Sequence, residues 1–260
     1  MEPICLKQSH KIPLATVLAA VYCAALRPCG ADTYVATPIA DAFVATGPTG
    51  NLSGDNFGAA GALAVAAGDL PQGEFQSVMQ FDLAGAVSAF NADYGVGQWT
   101  IQSVSLELSA SPHGNSIFNP PAAGEFGISL MQNNSWLEGT GTGGTPTTDG
   151  ITYNSLQNQY INNATDQALG TFGFPGGSSG EEGYLLSLAS GLVSDVQGGD
   201  DLSLRLFPDD NNVSYLFSSR ETGATGPELI ITATPEPGTL ELGLTGLAAL
   251  SLWRFIKRPR

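Results

Sequence analysis

Between residues 32 and 234 the chain has no lysine, no cysteine, one histidine (His113) and only two basic residues, Arg205 and Arg220. Each absence removes a class of function. Without cysteine there is no disulfide framework, zinc–thiolate site or thiol nucleophile. One histidine cannot build a three-histidine or H-E-x-x-H metal centre. A Ser-His-Asp hydrolase needs a histidine base. His113 stands on a Ser-Pro-His-Gly turn, and no nucleophile elbow accompanies it. The shortage of cations is general: Lys+Arg is 9 against Asp+Glu 24, and most of the nine lie near the two ends. So acidic a body repels phosphate backbones and anionic headgroups, which excludes nucleic acid as a partner. It tolerates calcium, high salt and neutral or basic polymers.

The ends carry what the body lacks. Lys7 and Lys11 precede an apolar run over 12–26, and Cys29-Gly30-Ala31 then supplies small residues before Asp32. This is the layout of a cleaved secretory signal over 1–31; an uncleaved anchor is the alternative. At the other end, 235–260 holds Pro235-Glu236-Pro237-Gly238, an apolar run over 239–256, and a basic tail of Arg254, Lys257, Arg258 and Arg260. The run is shorter than the ~20 residues a helix needs to cross a bilayer. Its basic end fits the cytoplasmic side under the positive-inside rule, leaving the body outside.

The body, 32–234, is patterned for strands. Val104, Leu106 and Leu108 alternate with Ser103, Ser105, Glu107 and Ser109; Phe126, Ile128 and Leu130 alternate, as do Leu202, Leu204 and Leu206, and Val213, Tyr215 and Phe217. Period-two alternation means one buried and one wet face. The expectation is an all-β fold, an antiparallel β-sandwich of jelly-roll type, with roughly nine or ten strands. Residues 84–97 read as a variable linker with room for a helical turn, 138–182 as a long surface loop, and 187–196 as a short amphipathic helix or turn.

The C-terminal order of Pro-Glu-Pro, apolar run and basic tail resembles the PEP-CTERM sorting signal of bacterial exported proteins. The resemblance implies an exosortase that recognises Pro235, Glu236 and Pro237, a helix that acts as a temporary membrane handle, and release to the cell surface or extracellular matrix after signal peptidase has removed the leader. The body resembles the DNRLRE-type jelly-roll domain of bacterial surface and polysaccharide-associated proteins. The blocks that carry this are the Asp-aromatic-Val pattern at 41–44, Asn56-Phe57-Gly58, Phe81-Asp82-Leu83, Trp136-Leu137-Glu138-Gly139-Thr140, Gly150-Ile151-Thr152-Tyr153-Asn154 and Leu216-Phe217-Ser218-Ser219-Arg220-Glu221. The family's namesake string is not intact here, and Tyr153 stands where the family usually has tryptophan. The resemblance implies a non-enzymatic surface protein associated with exopolysaccharide.

Two kinds of ligand site fit the residues. Asp209, Asp210 and Asn211 offer the oxygen donors that calcium takes, and also spell a hairpin turn. Trp136 and Tyr153 can stack a pyranose ring, or pin the long loop to the sandwich. A secreted carbohydrate-active enzyme is the alternative. It would use paired carboxylates, with Glu138, Asp149, Glu181 and Glu182 on or beside the loop.

Overall fold

The computed structural model describes residues 30–112 and 115–236. The leader up to residue 29, His113, Pro237, the apolar run 239–256 and the basic residues Arg254, Lys257, Arg258 and Arg260 lie outside the described residues. Among the described residues no helix is long and apolar enough to cross a membrane.

Among the described residues, eleven strands form two antiparallel sheets. The smaller holds β1 (Asp32–Ala36), β11 (Glu228–Pro235), β5 (Trp99–Ser109) and β8 (Glu181–Leu186), in that order. The larger runs β10 (Ser214–Ser218), β3 (Ala62–Ala66), β4 (Phe75–Asp82), β9 (Asp201–Pro208), β6 (Gly124–Met131) and β7 (Gln167–Phe174), with β2 (Pro38–Ala45) also paired to β4. The sheets share one core. Val104, Leu106, Leu108 and Ile231 meet Met79, Phe81, Phe126, Ile128 and Leu204 in it. Side chains of this size stabilise by about 1.5–3 kcal/mol each when fully buried.

The alternation expected in β5 is present, with a switch of parity. Trp99 and Ile101 point inward, and so do Val104, Leu106 and Leu108. A bulge makes the switch possible: Ala233 pairs with Ile101 but Thr232 pairs with Ser103, so Gln102 is the extra residue. In β4 the expected wet face does not exist, since every residue from Phe75 to Phe81 is buried. Its outer face is covered by the long loop. Ala42, Val44, Val78 and Met131 on the sheet pack against Trp136, Ile151 and Leu156 from the loop in a second apolar cluster.

Three sequence expectations change. The 84–97 linker contains an eleven-residue helix, α1 (Ala84–Tyr94), which buries Ala86 and Phe90 one turn apart. Asp82 Oδ1 accepts from the backbone N–H of Ala84 at the start of this helix (2.9 Å). The 138–182 segment is not all loop. It contains a helical turn, Tyr153–Ser155 continuing into Leu156–Tyr160, and the strand β7, whose glycines at 170 and 173 hide its alternation. The short helix expected over 187–196 is α2 (Ser190–Gly198), which buries Leu192 and Val196 but leaves Leu188 outside it and exposed.

Candidate functional site

The sequence blocks at 41, 56, 136–140, 150–154 and 219–221 are scattered along the chain and meet in one place. Asn56, fully buried, is the hub. Its Nδ2 donates to the carbonyls of Glu138 (2.6 Å) and Ile151 (2.8 Å). Its Oδ1 accepts from the backbone N–H groups of Gly141 (3.0 Å) and Gly58 (3.2 Å). The glycines in this loop are dictated by the hub. A Cβ at Gly141 would sit 1.9 Å from the Asn56 carbonyl oxygen. Gly139 has a φ of +82°, and a Cβ there would sit 2.3 Å from Asn56 Oδ1.

Outside the hub, Asp149 closes the loop. Thr147 Oγ1 and the N–H and Oγ1 of Thr140 all donate to its carboxylate. These bonds, that from Thr147 first, lower the Asp149 pKa to about 2. A carboxylate so committed to its ionised form has no proton to give to a glycosidic oxygen.

Beside the hub lie three carboxylates and one guanidinium. Oxygens of Asp41, Glu138 and Glu221 all lie within 4.8 Å of one another. Asp41 leaves β2 with its side chain fully buried. Arg220 grips Glu138 with both ends of its fork, Nε to Oε1 at 2.7 Å and Nη2 to Oε2 at 2.6 Å, and reaches Glu221 Oε1 at 3.3 Å. Glu138 Oε1 also accepts from the backbone N–H of Asp41 (3.1 Å). Asp41 Oδ2 accepts from the backbone N–H of Arg220 (2.7 Å), while its Oδ1 is buried without a hydrogen-bond partner among the described residues. Burial first, then the charges of Glu221 and Glu138, push the Asp41 pKa up to about 7.

A different face carries an open groove of about 550 Å³. Gln132, Asn133 and Asn134 line one side, and Gln159, Tyr160 and Asn162 the other. Asp166 ties the sides together, accepting from the backbone N–H of Gln132 (3.0 Å) and of Asn162 (2.9 Å). The lining is mostly amide, with one aromatic ring.

The residues expected to bind ligand are placed as follows. The Trp136 ring is only 2 % exposed and its Nε1 donates to Ser203 Oγ (3.0 Å), so it pins the loop and presents no face to a sugar. Tyr153 is half-buried and its hydroxyl donates to Glu74 (2.9 Å), which also accepts from Gln76, the partner of Arg205. Asp210 holds its turn: burial opposes its charge, yet backbone N–H groups of Asn212, Val213 and Glu125 keep its pKa below the usual carboxylate range. Asp209 accepts from Thr171 (2.7 Å) and Asn211 is exposed. Of the four carboxylates expected near the loop, only Glu138 belongs to the three-carboxylate cluster. Contrary to the expectation that no nucleophile-elbow string is present, Gly176-Gly177-Ser178-Ser179-Gly180 has that spacing; it joins β7 to β8, however, and not a strand to a helix. Pro235 ends β11 opposite Trp99, and the backbone N–H of Glu236 donates to the Gln98 carbonyl (2.8 Å).

Compared with protein-family models and with curated proteins, the chain matches none.

Proposed function

We propose that this chain is an exported, non-enzymatic surface or matrix protein whose jelly-roll body holds a neutral polysaccharide in the groove between 132–135 and 159–166. The groove is the observation that carries the binding half of this reading. Amide side chains offer a donor and an acceptor each, which matches the hydroxyls of a sugar. Tyr160 offers the apolar face on which a pyranose stacks. The body's acidity favours neutral over anionic glycans. Export and sorting rest on the leader and on Pro235-Glu236-Pro237 with its apolar run and basic tail, by their resemblance to the PEP-CTERM signal. The partners on this route are signal peptidase and an exosortase.

A glycan array and exopolysaccharide pull-down with the full chain test the groove. Wild type retains a neutral glycan, and the double variant Gln159→Ala/Tyr160→Ala weakens retention about tenfold or more, the loss of one stacking contact and one hydrogen bond. Retention unchanged in the double variant removes the groove from the reading. Release of reducing ends from a bound glycan would instead favour the carbohydrate-active enzyme.

A further inference from the structure

The cluster of Asp41, Glu138 and Glu221 has an imbalance that its one cation does not correct. Three carboxylates face one guanidinium, so the formal charge at the junction is −2 when all are ionised. Arg220 donates from its side chain to Glu138 and pairs with Glu221; Asp41 receives only its backbone N–H. Asp41 is fully buried, and among the described residues its Oδ1 has no donor. A buried carboxylate oxygen left in this state costs about 1–3 kcal/mol or more. Two things can satisfy it: a proton or a cation.

Geometry favours the cation. One oxygen from each of the three carboxylates falls within 4.8 Å of the other two. Calcium bonds of 2.3–2.6 Å set opposite ligands about 5 Å apart, so all three oxygens fit one coordination shell. The donor set is oxygen only, which suits a hard cation and not zinc or copper. The elements are independently held. Glu138 is fixed through its carbonyl by Asn56, Asp41 by β2, and Glu221 by the hydroxyl of Ser219 (2.6 Å). Arg220, which holds Glu138 and reaches Glu221, has a side chain 39 % exposed.

We propose that Asp41, Glu138 and Glu221 form a calcium site that locks the 136–151 loop and the 219–222 turn to β2. This site is separate from the Asp209-Asp210-Asn211 turn and from the amide-lined groove. It does not depend on polysaccharide binding.

Calorimetric titration and thermal unfolding of the full chain, stripped with EDTA, test it. Calcium binds one site per chain with a Kd of about 10⁻⁴–10⁻³ M, the range of extracellular modules. At about 10 mM calcium the midpoint of unfolding rises by about 3–10 °C. Asp41→Asn keeps the shape and removes the buried charge. It is at least as stable as wild type in EDTA and loses the calcium response. Glu221→Gln, at a more exposed ligand, folds normally and weakens calcium at least tenfold. A wild type that shows neither binding heat nor a midpoint shift overturns the site, as does a calcium response equal in wild type and both variants.

Discussion

Asn56 shows how much a single amide can hold. Its side chain satisfies two carbonyls and two N–H groups of buried backbone, most of them on the 137–151 loop. Asn56→Ala leaves all four without a partner in a site that water does not reach. Each orphaned group costs about 1–3 kcal/mol. The variant therefore loses at least about 3 kcal/mol, measured as a drop in the urea midpoint. A midpoint within error of wild type would show that the loop docks without its hub. The residue is visible in the sequence as a member of Asn56-Phe57-Gly58, but its role is not. Its partners Glu138 and Ile151 stand 82 and 95 positions away, and no local pattern couples them. The same distance conceals the cluster. Asp41, Glu138 and Glu221 each stand in a block that the sequence marks, but nothing in those blocks shows that the three carboxylates meet or that the fold buries Asp41.

Elements with an unbroken apolar period were legible, and those whose pattern is interrupted were not. β5, β6, β9 and β10 lie where their leucine, valine and aromatic spacing puts them. β7 escapes because Gly170 and Gly173 leave gaps in its pattern. α1 reads only as a helical turn in a linker, because its sequence, rich in alanine, buries only Ala86 and Phe90. α2 was legible from Leu192 and Val196, and it brings a titration with it. Asp195, partly buried on α2, has its pKa raised to about 6, by burial first and then by the charge of Asp200. A carboxyl raised in the folded state favours folding while it stays protonated. Its contribution is therefore full below about pH 4, its unfolded value, and is lost as pH rises through about 6. Asp195→Asn removes this slope. Thermal midpoints followed from pH 4 to 7 converge for wild type and variant at the acid end and separate above pH 6, with the variant higher. Parallel profiles would assign the slope to other groups.

At the scale of the whole molecule, the two-sheet antiparallel architecture follows from the alternation, while the division into four and seven strands does not. That division rests on pairings such as β1 with β11, which join residues some 200 positions apart. The proposed sorting signal begins without a spacer. Pro235 is still paired with Trp99, and Glu236 still bonds to Gln98. Replacing Pro235, Glu236 and Pro237 together with alanine leaves the core untouched, because neither Pro235 nor Glu236 contributes to it. The variant keeps the circular dichroism spectrum of wild type and accumulates in the membrane fraction; normal surface release would overturn the sorting reading.

The pairing of β1 with β11 also has a mechanical consequence. Asp32 lies opposite Ala233, so the chain enters and leaves the sheet at the same corner. β11 is flanked by β1 on one side and β5 on the other. Tension applied at residue 236 runs along β11 and loads the hydrogen bonds to both neighbours together, in shear. Those bonds cannot break in succession, as they would in an unzipped edge strand. A body hung from its C-terminal end is thus gripped by a strand braced on both sides.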